Sequence, residues 1–221
     1  MITVSRLVKT YPSPGGSPIT ALKVDWLVIK DAGQLALTGP SGSGKSTLLA
    51  LLGGVERPTS GEIRWDGEDW PGAAGRPPAR VRARRVGFVF QEPDLLPGLS
   101  LYDNLAAAAW LLGLPANPGG LRERLARVGL SGREGRKPGQ LSRGERQRAA
   151  VARTMLYPHN LVLADEPTAS LDGENAGLVL DLLLAMSRET SGALVVATHD
   201  PRVMERFPAR FDLRERGGGG A

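Results

Sequence analysis

The sequence predicts an α/β fold: a core with a mainly parallel β-sheet, an N-terminal antiparallel β subdomain and an inserted α-helical lobe. The first 38 residues form short runs in which apolar residues alternate, as in strands of a half-buried sheet. Residues from about 94 to 158 show helical spacing broken by Gly and Pro. The apolar runs 160–165 and 193–198 flank a long helical pattern, which indicates a βαβ unit with buried parallel strands.

The N-terminal elements come in a definite order. Strands over 2–11 and 19–29 are separated by the turn-rich SPGGSP, and a third strand, 34–38, follows. That strand stops at a glycine-rich loop, after which the pattern becomes helical from about Lys45. The sequence thus predicts a strand, a loop and a helix in direct succession.

The middle of the chain contributes two more strands and a linker. GEIRW (61–65) and VGFVF (86–90) are predicted strands, and the Pro/Gly/Arg-rich segment 71–80 between them is predicted to be a linker. A helix is predicted for 174–192, ending at a glycine.

We predict a single domain made of several segments. The core with its β subdomain comprises 1–92 and 159–216, the helical lobe comprises 93–158, and the glycine-rich tail 217–221 is predicted to be disordered.

Composition excludes some classes of protein. With 41% hydrophobic and 23% charged residues the chain is typical of globular proteins, and its apolar runs are too short to cross a bilayer. We find no signal-peptide pattern, so a cytosolic location is expected. The net charge of +5 and the five arginines of RPPARVRARR (76–85) suggest nucleic acid as a partner. No aromatic residue interleaves that run, so a solvated basic face is the better interpretation.

The loop before the predicted helix fits the phosphate-binding pattern G-x-x-x-x-G-K-[ST] and predicts a P-loop NTPase core. Glycines allow backbone N–H groups to surround a phosphate, Lys45 reaches the terminal phosphates, and the Ser46 hydroxyl is a candidate Mg²⁺ ligand. The alternative, a flexible Gly/Ser turn, is disfavoured by the flanking strand and helix. The predicted nucleotide-binding residues here are Gly39, Pro40, Ser41, Gly42, Ser43, Gly44, Lys45, Ser46 and Thr47.

The buried strand LVLAD ends in two carboxylates, Asp165 and Glu166. Ligands of parallel α/β sheets bind at the carboxyl ends of the strands. Asp165 is therefore a candidate Mg²⁺ ligand, and Glu166 is a candidate general base for an attacking water. A polar strand end before a turn is the alternative, but the phosphate loop favours the catalytic interpretation.

Four further polar residues lie where an ATPase would use them. Gln91, at the end of VGFVF, is a candidate contact for Mg²⁺ or water, and His199, after ALVVAT, is a candidate donor to the γ-phosphate. Asp172 is either a residue at a subunit boundary or a helix cap, and Tyr11 either stacks on adenine or is a sheet-edge aromatic.

The stretch QLSRGERQR has the pattern of a helix start. Ser142 is an N-cap candidate, and Glu145 follows at the capping-box spacing. The positive end of this helix favours an anion, yet the phosphate loop lies about a hundred residues upstream.

Tyr11, GPSGSGKST, Gln91, LSRGE, LVLADE, SLD and His199 stand in the order found in the ATP-binding subunits of ABC transporters, and the chain resembles them over nearly its whole length. In that family LSRGE is the signature sequence. The resemblance implies that Ser142, Gly144 and Glu145 serve an ATP held by the phosphate loop of a second copy. It also implies a homodimer around two Mg²⁺-ATP, with Asp172 near the subunit boundary.

The resemblance is strongest to the lipoprotein-releasing, macrolide-efflux and cell-division-type group. It implies a separate membrane permease, docked around Gln91–Asn104 and on the helical lobe, and a location on the cytoplasmic face of the membrane. Arg143 stands where this family commonly has glycine, so its side chain faces either solvent or phosphate. Two alternatives are a soluble ABC-type ATPase acting on nucleic acid and a nucleotide-gated subunit with little hydrolysis.

Overall fold

A computed structural model of the chain describes residues 1–14, 16–70, 79–115 and 117–214. The strands are β1 (Ile2–Ser13), β2 (Gly16–Ile29), β3 (Gln34–Thr38), β4 (Ser60–Trp65), β5 (Glu68–Asp69), β6 (Val86–Val89), β7 (Leu161–Asp165), β8 (Ala193–Ala197) and β9 (Ala209–Asp212). The helices are α1 (Lys45–Leu52), α2 (Ala79–Arg85), α3 (Leu101–Leu112), α4 (Pro118–Arg127), α5 (Arg143–Thr154), α6 (Gly173–Thr190) and α7 (Pro201–Met204).

The N-terminal strands form the predicted antiparallel sheet, with the order β2-β1-β4-β5. Val4 of β1 pairs with Leu27 on one side and Ile63 on the other, and all three side chains are buried. The hairpin between β1 and β2 is tighter than predicted, because Ser13 pairs directly with Gly16. Cross-strand pairing therefore continues into residues that the turn-rich composition assigned to a loop.

The second sheet has the order β6-β7-β8-β3-β9, and every pair in it is parallel. Leu37 of β3 and Asp165 of β7 both lie beside Ala197 of β8. The carboxyl ends of these three strands therefore meet at one edge, where parallel α/β sheets bind ligands. This sheet confirms the predicted α/β fold class.

The helices α3, α4 and α5 share a hydrophobic cluster of their own. Leu101 and Leu105 of α3, Leu125 of α4 and Ala149 of α5 are completely buried in it. Two other clusters fill the two sides of the parallel sheet. The structure thus places the helical residues of the stretch 93–158 around a separate core.

Some elements differ from the prediction. Residues 79–80, predicted to belong to a linker, are helical and open α2, while 71–78 and the tail 217–221 lie outside the described residues. The short strands β5 and β9 and the short helix α7 were not predicted. In the described part of the chain, no helix is long and apolar enough to cross a membrane.

Candidate nucleotide-binding site

The loop between β3 and α1 is shaped by glycine. Gly44 has φ 97°, and a Cβ at this position would stand 2.6 Å from the carbonyl oxygen of Ala21. Other residues rarely adopt this φ, and the close backbone would exclude their side chains. No side chain caps the N-terminus of α1, and its first turn holds no acidic residue. The first N–H groups of α1 are therefore free of side-chain acceptors, as an anion site requires.

Lys45 is the first residue of α1, and its side chain is 9% exposed. Its Nζ donates to the carbonyl oxygens of Gly39 at 2.8 Å and Pro40 at 3.2 Å. The same Nζ lies 3.7 Å from Oε1 of Glu166. The Lys45 ammonium is thus held inside the loop beside the Glu166 carboxylate. A phosphate that entered the loop would contact this ammonium.

Glu166 follows β7 in an unusual backbone conformation, with φ 44°. Its N–H donates to the carbonyl oxygen of Ala197, and its Oε1 lies 2.8 Å from Nδ1 of His199. A residue other than glycine with positive φ costs on the order of 1 to 3 kcal/mol and is often found at active sites. The strand end therefore fixes the Glu166 carboxylate between Lys45 and His199.

Asp165 is partly buried at the end of β7, and burial raises the pKa of its carboxyl group. A hydrogen bond from the Ser46 hydroxyl and the charge of Lys45 act in the opposite direction, while the charge of Glu166 adds to the increase. A raised pKa means that the carboxylate is short of compensating positive charge. A bound cation would therefore stabilise the ionised form of the Asp165 carboxyl group.

The predicted Mg²⁺ ligands lie around one cleft of about 620 Å³, to which Ser46, Gln91 and Asp165 all contribute. Among the described residues there is no group of three or more His, Cys, Asp or Glu side chains suited to hold a metal. A hydroxyl, an amide and one carboxylate fit Mg²⁺, which is usually held by one or two carboxylates together with phosphates and water. The cleft is lined by Ala21, Pro40, Ser41, Gly42, Gly44, Lys45, Ser46, Thr47, Gln91, Asp165, Glu166 and His199.

Two loop residues from the predicted set do not line the cleft. Gly39 contributes its carbonyl oxygen to Lys45. The Ser43 hydroxyl is buried without a hydrogen-bond partner among the described residues, and a Cβ on Gly39 would stand 2.6 Å from it. Gly39 and Ser43 therefore pack inside the loop.

Tyr11 lies at the edge of the site. Its hydroxyl donates to Oε2 of Glu56 at 2.7 Å and has a hydrogen bond with the Thr47 side chain. Burial, followed by the neighbouring Glu56, raises the pKa of Tyr11. Lys9 Nζ lies 5.0 Å from the ring centroid. The ring is 36% exposed, so it retains an open surface close to Thr47.

The residues at the start of α5 are not part of this cleft. Ser142 and Glu145 form the predicted capping box: Ser142 Oγ accepts from Glu145 N, and Glu145 Oε2 accepts from Ser142 N. Gly144 packs against α6, where a Cβ would stand 2.4 Å from Oδ1 of Asn175. Asp172 is the N-cap of α6 and accepts a hydrogen bond from the Asn175 N–H. Ser142 is exposed, so the N-terminus of α5 faces outward.

The structure adds two features that the sequence did not predict. Ala21 lines the cleft from β2, and no property of an alanine in a strand signals this. Arg143, for which solvent and phosphate were the expected surroundings, donates to Oε1 of Glu92 at 2.6 Å. The ion pair joins the start of α5 to the segment that follows Gln91.

A phosphate loop at the carboxyl edge of a parallel sheet, with paired carboxylates at the end of the strand two places away in that sheet, defines a P-loop ATPase. The family model described as ABC transporter matches residues 24–169, and the chain therefore belongs to the ABC transporter family. It is an ATP-binding ABC-type ATPase.

Relatives match the chain over nearly its whole length. The lipoprotein-releasing system ATP-binding protein LolD of Legionella pneumophila (strain Paris) is 40% identical over 97% of this chain and 95% of its own. LolD of Nitratidesulfovibrio vulgaris is 42% identical over 93% and 89%. A dimeric bacterial ABC transporter cassette has a TM-score of 0.85 at 32% identity, over 96% of this chain and 94% of that one. A dimeric cassette in a post-hydrolysis state with ADP and Pi has a TM-score of 0.84 at 30% identity, with the same coverage.

Proposed function

We propose that two copies of this chain enclose two Mg²⁺-ATP and that hydrolysis drives a separate membrane permease. The observation that carries the proposal is the outward-facing N-terminus of α5. Ser142 is exposed and absent from the cleft of its own chain, although the start of a helix favours a negatively charged ligand. A second copy packed head to tail would bring an ATP to it. The dimeric cassettes among the similar structures support this arrangement.

ATP would hold the dimer together. The triphosphate is an anion with contacts to Lys45 and the loop of one copy and to Ser142 and Gly144 of the other. A ligand that binds only the closed state stabilises that state by a free energy that grows with the logarithm of the ligand concentration. Loss of the γ-phosphate removes the shared contact, so hydrolysis would reopen the dimer. Asp172, at the start of α6 beside Asn175, would lie close to this boundary.

The residues around the Glu166 carboxylate would carry out ATP hydrolysis. Glu166 would accept a proton from the water that attacks the γ-phosphorus, while His199 would keep the carboxylate oriented and donate to the phosphate. Lys45 would neutralise charge on the departing β-phosphate oxygen. Ser46, Gln91 and Asp165 would hold Mg²⁺, which would supply further charge neutralisation at the phosphates.

The permease would dock near the loop that follows β6. Phe90 directly precedes Gln91 and is 41% exposed, and Leu96, five residues after Gln91, is 51% exposed. A partner that covers both side chains would therefore contact this loop at Gln91. The relatives are named as components of lipoprotein-releasing systems, which supports an export or force-transmitting permease. The chain would then work at the cytoplasmic face of the membrane.

Light scattering of Glu166→Gln tests the shared site. This variant keeps the phosphate loop and the capping box but lacks the base, so it should bind ATP, turn over very slowly and accumulate as a dimer with ATP and Mg²⁺. With ADP it should remain monomeric. Ser142→Arg in the same background provides the control, because a side chain of this size at the α5 N-terminus should keep the two copies apart without removing ATP binding. A monomer of Glu166→Gln at saturating ATP would contradict the proposal.

A further inference from the structure

The C-terminal end of α3 carries an exposed apolar surface. Trp110 and Leu111 are 78% and 66% exposed, although the opposite side of the helix is buried in the lobe. Asp103 is the only charged residue in α3. Helices that are apolar around most of their circumference are normally covered on all sides. Trp110 and Leu111 therefore form a surface that is suited to an intermolecular contact.

The arginines of α2 lie beside this end of α3. Arg84 donates through Nε and Nη2 to the carbonyl oxygen of Leu112, at 3.2 and 3.0 Å. The Arg80 guanidinium fills the space next to Gly113 in which a Cβ would stand. Gly113 directly follows α3 as its C-cap, with φ 68°. The Arg80 charge therefore lies at the C-terminal end of α3, the end that carries the exposed indole.

The positive charge of α2 is not neutralised by the described part of the protein. The helix contains four arginines and no acid, and none of the four forms an ion pair with a described carboxylate. Arg85 lies over the rings of Trp65 and Trp70, 5.7 Å from each centroid. Arg80 remains beside the apolar end of α3 without such a partner ring. Arg82, two residues further along α2, likewise has no partner ring among the described residues.

We propose that Arg80, Arg82, Trp110 and Leu111, termed here the lipid face, bind the anionic headgroups of a membrane surface. An indole and a leucine side chain insert at the boundary between headgroups and acyl chains, while neighbouring arginines pair with lipid phosphates. Arg80 and Arg82, which form no ion pair with a described carboxylate, provide the charge complementarity. Nucleic acid fits less well, because the leucine beside Trp110 neither stacks on bases nor donates a hydrogen bond. This contact is separate from ATP-dependent dimerisation and requires no permease.

Vesicle sedimentation of the full chain tests the lipid face. The chain should sediment with vesicles that contain phosphatidylglycerol and stay in solution with pure phosphatidylcholine, and salt should weaken the binding. Arg80→Gln with Arg82→Gln should weaken binding by roughly 25-fold, since each arginine near an anionic surface contributes about fivefold. Trp110→Ser with Leu111→Ser should also weaken it. Thermal melting should show that both double variants are folded, because Trp110 and Leu111 contribute little buried area.

Matched controls distinguish this face from the general basic charge. Arg57→Gln with Arg210→Gln removes the same charge from exposed positions elsewhere, and Trp26→Ser removes another exposed indole; neither should reduce vesicle binding as the lipid-face variants do. Equal losses in the controls, equal binding to phosphatidylcholine, or binding of duplex DNA but not of anionic vesicles would overturn the proposal. None of these results would affect the ATP-dependent dimer of Glu166→Gln. The two proposals can therefore be tested independently of each other.

Discussion

Nδ1 of His199 lies 2.8 Å from Oε1 of Glu166, and this contact joins the second residue after β8 to the first residue after β7. The Glu166 side chain is 14% exposed and the His199 side chain is 71% exposed. The histidine thus covers the carboxylate from the solvent side. A base that must meet one particular water needs such a constraint on its orientation.

Replacement of His199 should lower turnover and leave ATP binding nearly unchanged. We expect His199→Ala to reduce kcat by about a hundredfold, the lower end of what a positioned acid–base group contributes. In a Glu166→Gln background the same change should add little, because both residues act on one step. Steady-state hydrolysis and equilibrium ATP binding measure the two effects. Full activity of His199→Ala would show that the contact has no part in catalysis.

Lys45→Ala should abolish ATP binding. Its ammonium is the only lysine charge in the cleft, and its contacts with the loop carbonyl oxygens show that it is already directed into the loop. Lys30→Ala, which changes an exposed lysine outside the cleft, is the matched control and should bind ATP normally. Calorimetric titration with ATP compares the two variants. Equal affinities would mean that the phosphate loop is misassigned.

The stability of the chain without nucleotide should depend on pH through Asp165. Burial raises the pKa of this group in the folded state, so between the unfolded and folded pKa values the native chain binds more protons. Its contribution to stability is therefore present at pH below the unfolded value and is lost as the pH rises through the folded value. Asp165→Asn should be more stable than the native chain at neutral pH, and the difference should vanish on acidification.

Thermal melting of both proteins across the acidic range measures this difference. Other titrating groups are common to the two chains and cancel. A native chain that is the more stable of the two at neutral pH would show that the raised pKa is wrong. Asp165→Asn should also bind ATP with a weaker dependence on Mg²⁺.

Gly144 has a structural role that is independent of ATP. Because a Cβ would stand 2.4 Å from Oδ1 of Asn175, Gly144→Ala should destabilise the packing of α5 against α6 by about 1 to 3 kcal/mol. Gly177→Ala is the control, since nothing lies within 4 Å of a Cβ there, and it should stabilise α6 by about 0.5 to 1 kcal/mol. Urea unfolding measures both changes. A neutral Gly144→Ala would mean that Asn175 moves away freely.

The sequence predicts the fold class, and it locates most of the residues that line the cleft, because both depend on local patterns. The strand, loop and helix around Lys45 follow one another along the chain. Asp165 is the last residue of a strand whose other residues are all apolar, and Glu166 follows it. Chemistry attached to such elements can be located without knowing the strand order. The parallel sheet brings Glu166 and His199 together because β7 and β8 are neighbours in it.

Features that depend on tertiary packing were not predicted. The strand β9 is four residues long and is defined by its pairing with β3, and α2 is an arginine-rich segment held by contacts with the end of α3. The Arg143–Glu92 ion pair joins residues far apart in the sequence. Neither periodicity nor motif spacing carries information on such contacts.

A mixture of two inactive variants tests the shared site most directly. Lys45→Ala removes the phosphate loop contact, and Ser142→Ala removes the signature hydroxyl without adding bulk at the interface, so each variant alone should be inactive. In a mixed dimer one site combines the intact loop of one chain with the intact signature of the other. The mixture should therefore regain ATPase activity, up to about a quarter of the native rate for random pairing in a symmetric dimer. Full activity of Ser142→Ala alone, or no recovery in a mixture shown to contain mixed dimers, would contradict the account.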